Sequence, residues 1–192
     1  ALTGVAHKVM TRSAARPGDR VAVTGHLGTS AAGLRMLSGG QFEAGSEMGQ
    51  SFRRAHLLPT PRVAEGKALV GCGVRAAIDI SDGLVSDLTH VCEASRLGAK
   101  VWLDKVPVDP DVRAVFGNDA LEMALSGGED YELLFTAPSD IMETARETLA
   151  TPVTIVGEMV EDVRKVTLMD ERRKTVPWQK GGWDHFAARD TE

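Results

Sequence analysis

The sequence has 192 residues, of which 43% are hydrophobic and 26% are charged, a composition that excludes collagen-like, coiled-coil and disordered classes. At this length about 70% of the surface of the unfolded chain can be buried, so one domain with its own core is expected. Its 22 basic and 27 acidic side chains give a net charge of −5, which disfavours binding to the phosphate backbone of nucleic acids.

The pattern of apolar residues predicts strands and helices that interleave along the chain. Strands are expected at residues 2–9, 20–25, 76–80, 100–103, 131–136, 153–157 and 163–169. One helix is expected through Ala31, Leu34 and Leu37, ending at Gly39-Gly40, and others at residues 63–70, 84–95, 119–125 and 141–149. Thr29 or Ser30 would cap the first of these helices. Loops are expected at residues 41–50, 59–62 and 107–110. The alternation lacks the even rhythm of a doubly wound sheet, so the sequence predicts an α+β fold with a mixed β-sheet layered with helices.

Cysteine content and hydropathy indicate the cellular compartment. Cys72 and Cys92 are the two cysteines, and two cysteines do not make a disulfide framework in a chain of this size. No apolar run approaches the about 20 residues that a membrane-spanning helix needs. Residues 1–10 lack the apolar region of a signal peptide. We therefore expect a soluble, cytoplasmic protein that binds neither nucleic acid nor membranes.

The densest group of polar residues is Asp79-Ile80-Ser81-Asp82-Gly83, between a predicted strand and a predicted helix. Because side chains alternate along a strand, Asp79 and Asp82 are expected to converge near the free amides of the helix. Asp82 alone would be interpreted as a helix cap. Asp79, however, occupies a strand position where an apolar residue is expected. Its carboxylate needs an opposite charge, backbone amides or a metal ion as its partner. Mg²⁺ fits the pair best, with Ser81 and the helix amides holding a phosphate oxygen.

Three other segments are weaker candidates, each with a structural alternative. Residues 25–30 form a glycine loop without the lysine of a P-loop or the third glycine of a dinucleotide site, so a structural turn is favoured. Residues 126–132, Ser-Gly-Gly-Glu-Asp-Tyr-Glu, place three acids ahead of a strand. Such clusters are usually solvated turns, but these acids run into an apolar strand and nothing basic lies near them in sequence. Trp183 follows a glycine pair in a polar tail, where a tryptophan is more often a docking residue than a ligand platform.

Two other chemistries lack support. The histidines have no paired metal-ligand spacing and the cysteines do not form a CxxC motif, which argues against zinc. No GxSxG motif occurs in a Ser-His-Asp order, which argues against a hydrolase.

The motifs occur in an order that resembles the C-terminal portion of the thiamine-monophosphate kinase family. That family belongs to the wider ATP-binding superfamily of aminoimidazole ribonucleotide synthetase, whose C-terminal domain has the α+β fold predicted above. The resemblance covers essentially the whole chain, and its most specific runs are Asp-Ile-Ser-Asp-Gly-Leu and Ser-Gly-Gly-Glu-Asp-Tyr-Glu-Leu. The matching segments are residues 12–19, 23–34, 56–62, 78–84, 126–133 and 182–186.

The resemblance implies transfer of the γ-phosphoryl group of ATP to thiamine monophosphate, giving thiamine diphosphate, with Mg²⁺ as cofactor. It implies that Asp79 and Asp82 bind Mg²⁺ and that Ser81 contacts ATP. Glu129 and Trp183 would contact the thiamine moiety. No residue is assigned as general acid, general base or nucleophile, because direct in-line transfer asks mainly for alignment and charge neutralisation.

The resemblance also implies that residues 1–192 are a single C-terminal domain that binds substrate and ATP, without the N-terminal domain of the family. Residues 1–10 would be the junction strand to that domain, and residues 170–192 a tail carrying Trp183. The full-length enzyme would be a homodimer, and the isolated chain inactive or weakly active. Two alternatives stay open at this point: a superfamily relative acting on another phosphorylated small molecule, and a non-catalytic ligand-binding module.

Overall fold

The computed structural model describes residues 8–39, 46–161 and 165–178. Its strands are β1 (Arg20–Thr24), β2 (Ala76–Asp79), β3 (Gly98–Trp102), β4 (Leu133–Ala137), β5 (Val153–Val160), β6 (Val166–Met169) and β7 (Thr175–Val176). Its α-helices are α1 (Thr29–Leu37), α2 (Glu47–Leu57), α3 (Val63–Cys72), α4 (Leu84–Ser95), α5 (Pro110–Phe116), α6 (Asp119–Ser126) and α7 (Ser139–Thr148).

These strands form one sheet in the order β2-β4-β1-β5-β3-β6-β7. Neighbouring strands are antiparallel except β3 and β6, which are parallel. The predicted α+β fold with a mixed sheet is therefore confirmed. Within the described ranges, no helix combines the length and the apolar character needed to cross a membrane.

Helices cover both faces of the sheet around β1, because successive side chains of this strand point to opposite sides. Val21 and Val23 belong to the larger apolar cluster, which α4, α5 and α6 cover. Ala22 belongs to a smaller cluster that includes Leu69 of α3 and Met142 of α7. The strand is thus buried on both sides, which fixes the position of its carboxyl end at Thr24.

Several sequence predictions are corrected by the structure. Residues 47–50 are helical, not a loop, because Ser46 accepts a hydrogen bond from the amide of Gly49 at 3.1 Å and starts α2. Residue 110 begins α5, because Asp109 accepts bonds from the amides of Asp111 and Val112. Residues 131 and 132 precede β4 and are not part of it.

The ends of the chain bear on two further predictions. In the predicted strand at residues 2–9, residues 8 and 9 are not in a strand. Residues 2–7 of that strand lie outside the described residues, as does Trp183 in the predicted tail.

Candidate active site

Two motifs that are about 50 residues apart in sequence lie side by side at the carboxyl end of β2. Main-chain hydrogen bonds join them: the amide of Ile80 donates to the carbonyl of Glu132 at 2.8 Å, and the amide of Tyr131 donates to the carbonyl of Ile80 at 2.9 Å. The amide of Glu129 donates to the carbonyl of Ser81, also at 2.9 Å. The turn after β2 and the loop at residues 126–132 therefore form one unit.

Glycines allow this close approach. A Cβ atom on Gly128 would lie 2.5 Å from the carbonyl oxygen of Ser81. Gly83 has a φ of +107°, and a Cβ atom there would lie 2.9 Å from the carbonyl carbon of Ser126. Since real Cβ atoms do not approach so closely, a side chain at either position would push the two segments apart.

The acidic residues predicted from the sequence converge on one phenol. The pKa of Tyr131 is raised by burial, then by the charge of Glu129, a side-chain hydrogen bond with Glu129, and the charges of Asp79 and Asp82. Each charge opposes formation of a tyrosinate nearby. Asp79 is exposed, and Asp82 and Glu129 are half-buried. The main-chain bonds place Glu129 and Tyr131 beside the turn that carries Asp79 and Asp82, and Asp82 and Glu129 line one cavity.

The backbone of the loop at residues 126–132 is strained at two positions. Glu129 has a φ of +68° and Tyr131 a φ of +50°, in the left-handed region that side chains other than glycine rarely adopt. Each such residue costs on the order of 1–3 kcal/mol and persists where surrounding contacts hold it.

The carboxylates suit a hard cation. Among the residues that the structure describes, no ion pair joins Asp79 or Asp82 to a basic side chain. Free carboxylate oxygens are the ligands that Mg²⁺ prefers, and one or two of them are usual in a site shared with phosphate. The donor set of this turn therefore fits Mg²⁺.

Asp87 is a buried acid at the same turn that the sequence predictions missed. Its Oδ2 accepts hydrogen bonds from the amides of Ser81 at 2.9 Å and Asp82 at 3.0 Å. Burial raises its pKa, and these two amides oppose that effect. Oxygen and nitrogen atoms of Asp82, Asp87 and His90 lie within 4.8 Å of one another. Because Asp87 already bonds to two amides, its evident role is to hold the turn that carries Ser81 and Asp82.

A cavity of about 470 Å³ opens beside these residues. Ser81, Asp82 and Glu129 contribute polar groups to its lining, and Leu34 and Met123 contribute apolar surface. Pockets of this kind bind small organic molecules, with the polar groups fixing their orientation.

The glycine loop at residues 25–30 has a packing role in the structure. Neither Thr29 nor Ser30 caps α1, contrary to the sequence prediction; Gly28 holds the N-cap position with a φ of +94°. The side chain of Asp130 instead accepts hydrogen bonds from the amides of Gly28 and Ser30. This loop thus supports the acidic loop at residues 126–132.

The sequence of this fold matches a known class of protein. The sequence profile of the family described as AIR synthase related protein, C-terminal domain, matches residues 16–169. The chain belongs to this family.

Within it, the similarity is to thiamine-monophosphate kinases. The chain is 42% identical over 188 residues to the thiamine-monophosphate kinase of Salmonella typhimurium (strain LT2), covering 95% of this chain and 57% of that protein. The crystal structure of thiamine-monophosphate kinase from Stenotrophomonas maltophilia K279a has a TM-score of 0.76 at 35% identity, covering 84% of this chain and 53% of that one. The structure of AaThiL complexed with AMPPCP and TMP also has a TM-score of 0.76, at 32% identity, covering 93% and 55%.

These comparisons confirm the resemblance to the C-terminal portion of thiamine-monophosphate kinases. The chain spans little more than half the length of the curated relatives it matches.

Proposed function

We propose that this chain is the C-terminal part of a kinase that transfers the γ-phosphoryl group of ATP to thiamine monophosphate. The observation that carries the proposal is that main-chain hydrogen bonds join the turn of Asp79 and Asp82 to the loop of Glu129, and that Asp82 and Glu129 line a cavity with an apolar wall. The similarity to kinases named for this substrate supports it, as does the AaThiL structure, which holds an ATP analogue and TMP.

In this proposal Asp79 and Asp82 hold Mg²⁺ at the end of β2. When bound, Mg²⁺ neutralises charge on the phosphate oxygens during the transfer. Ser81 contacts ATP from the same turn, which Asp87 holds through the amides of Ser81 and Asp82. The nucleotide and the metal thereby share one rigid support.

Thiamine monophosphate would occupy the cavity beside Glu129. The thiazolium ring of this substrate is cationic, and a carboxylate attracts a cation strongly where water is partly excluded. Leu34 and Met123 offer apolar surface to the heterocycles. Trp183 would pack on the thiamine moiety, as a cation over an aromatic face is attracted to it; this residue lies outside the described part of the chain.

The transfer itself would be direct and in line. The acceptor phosphate is already an anionic nucleophile near neutral pH, so no side chain of this site needs to act as general base. The protein contributes alignment and fixed charge. Further contacts to ATP and Mg²⁺ would come from an N-terminal domain, and the full-length enzyme would be a cytoplasmic homodimer.

The metal role of Asp79 and Asp82 is tested by removing the negative charge of one side chain at a time without changing the size of that side chain. Asp79→Asn and Asp82→Asn are made in a chimeric enzyme, in which this chain replaces the matching part of the Salmonella typhimurium kinase. Binding of ATP is measured by isothermal titration calorimetry with Mg²⁺ and with EDTA. We expect each variant to lose at least about tenfold in Mg²⁺-dependent affinity, equivalent to about 1.4 kcal/mol.

Asp140→Asn is the matched control, because Asp140 is an exposed acid in the first turn of α7, outside the proposed site. Its affinity should equal that of the unmodified chimera. Unchanged Mg²⁺-dependent binding in both site variants would refute the metal role of Asp79 and Asp82.

A further inference from the structure

The four residues from Glu129 to Glu132 alternate between two environments. The amides of Glu129 and Tyr131 donate hydrogen bonds to the carbonyls of Ser81 and Ile80, so both residues lie beside the turn that carries Asp79 and Asp82. The side chains of Asp130 and Glu132 have their hydrogen-bond partners elsewhere, at the start of α1, on β1 and on the residue that precedes α3. The proposed function uses the first pair and leaves the second pair without a role.

Asp130 binds the start of α1. Its Oδ2 accepts a hydrogen bond from the amide of Gly28 at 2.8 Å, and its Oδ1 accepts one from the amide of Ser30 at 3.1 Å. Burial raises the pKa of Asp130 to about 7, against the effect of these two amides. A helix start has unpaired amides and a positive dipole end, so one carboxylate oxygen per amide is a strong link. Asp130 therefore acts as a cap from 100 residues away.

Glu132 joins two more segments. Its Oε2 accepts hydrogen bonds from Thr24 Oγ1 at 2.6 Å and Arg62 Nε at 2.8 Å, and its Oε1 accepts one from Arg62 Nη2 at 2.6 Å. The residue is 5% exposed. This bidentate contact with the guanidinium of Arg62 fixes the orientation of the Glu132 carboxylate as well as its distance.

The same contacts explain sequence motifs that the proposed function does not use. A Cβ atom on Gly25 would lie 2.2 Å from Glu132 Oε1, so glycine leaves room for the carboxylate. Gly28 presents its amide to Asp130, and Arg62 is the last residue of the Pro-Thr-Pro-Arg run. Two separate motifs, the glycine loop at residues 25–30 and the Pro-Thr-Pro-Arg run, thus contact the loop at residues 126–132.

We propose that Asp130 and Glu132 are positioning residues that hold Glu129 and Tyr131 against Asp79 and Asp82. Their hydrogen bonds to α1, β1 and Arg62 hold the loop in place and maintain the positive φ angles of Glu129 and Tyr131. The consequence for substrate binding rests on the proposed function, whereas the positioning itself can be measured without any substrate.

The first test uses the fact that Tyr131 is the one tyrosine of the sequence. Labelling tyrosine with ¹³C in its ring gives NMR signals from Tyr131 alone, in the 192-residue chain without ligand. Asp130→Ala removes both acceptors, whereas Asp130→Asn keeps one. We expect the ring signals to move towards those of free tyrosine in Asp130→Ala, and about half as far in Asp130→Asn.

Asp140→Asn on α7 is the control and should leave the Tyr131 signals unchanged. Circular dichroism establishes that each variant is folded. If Asp130→Ala does not fold, Asp130→Asn and Glu132→Gln decide the matter by the same shift. Wild-type Tyr131 signals in folded variants would overturn the proposal.

The second test measures kinetics in the chimeric enzyme. Because Asp130 supports the side of the site that carries Glu129, Asp130→Asn should raise KM for thiamine monophosphate about tenfold and leave KM for Mg-ATP within about twofold. Equal effects on both KM values, or none on either, would contradict a positioning role at Glu129. A shifted Tyr131 signal in a chimera without kinase activity would refute the proposed function and leave the positioning role standing.

Discussion

Glu132 is a buried carboxylate, and hydrogen-bond donors around it stabilise its negative charge. A charge taken out of water is costly unless it is paired and hydrogen-bonded. Arg62 and Thr24 supply three hydrogen bonds to its two oxygens. Removing Arg62 alone would leave the charge buried with the Thr24 hydroxyl as its remaining donor.

We therefore predict that Arg62→Met lowers the free energy of unfolding by about 3 kcal/mol. The loss in the free energy of unfolding should be about 2 kcal/mol smaller in the double variant Arg62→Met, Glu132→Gln than the sum of the losses in the two single variants. Urea denaturation of the four proteins measures this coupling. Arg146→Met is the control: its ion pair with Glu143 is exposed, so its loss should cost no more than about 0.5 kcal/mol. Additive effects of Arg62→Met and Glu132→Gln would contradict the pairing.

Some site residues could be predicted from the sequence and others could not. Asp79 and Asp82 were predicted to converge because a strand runs directly into a helix around them, and the structure places the turn that carries them against the loop of Glu129. Asp87 had a signal that was missed, since this acid shares a helix face with Leu84 and Leu88. The roles of Asp130 and Glu132 depend on contacts with segments about 70 to 110 residues away, which local patterns do not reveal.

At the scale of the elements, glycines set how closely loops approach one another. Gly25, which follows β1, has a φ of +60° and faces the Glu132 carboxylate. Gly18, in the turn before β1, has a φ of +83° and open space around the position of a Cβ atom. The two glycines share a backbone conformation and differ in surroundings.

This contrast gives a matched pair of variants. Gly18→Ala should cost about 1–2 kcal/mol, the strain of a left-handed residue. Gly25→Ala should cost the same strain plus about 1–3 kcal/mol, because the carboxylate cannot move aside without breaking its bonds to Arg62 and Thr24. Thermal and urea unfolding of both variants would test this. Equal costs at the two positions would show that the contact between Gly25 and Glu132 is not tight.

The elements themselves were predicted where periodicity is regular. α4 has apolar residues at helical spacing and follows a short apolar strand, and both were found. The whole of α2 was missed, and its first residues lie in a polar, glycine-containing stretch with no apolar period. For α5 the signal was present, as Asp109 followed by Pro110 is a common helix start. β7 has two residues and depends on pairing with β6, which no local pattern indicates.

At the scale of the whole molecule, the candidate site lies at one end of the sheet strands β2 and β4. The carboxyl end of β2 and the loop ahead of β4 meet there, and β4 lies between β2 and β1 in the sheet. The net charge of the chain is −5, and its acidic residues near the candidate site fall into two groups. Asp79, Asp82 and Glu129 lie at the site, whereas Asp130 and Glu132 hold the loop in place.

We propose that this chain supplies the C-terminal side of a site for phosphoryl transfer to thiamine monophosphate. The most direct measurement is the formation of thiamine diphosphate from thiamine monophosphate and Mg-ATP, by the chain alone and by the chimeric enzyme.

We predict turnover by the chimera, at least about a hundredfold slower turnover in its Asp79→Asn variant, and little or none by the chain alone. A folded chimera that binds ATP and thiamine monophosphate but forms no thiamine diphosphate would contradict the claim. Full activity of the isolated chain would contradict its dependence on an N-terminal half.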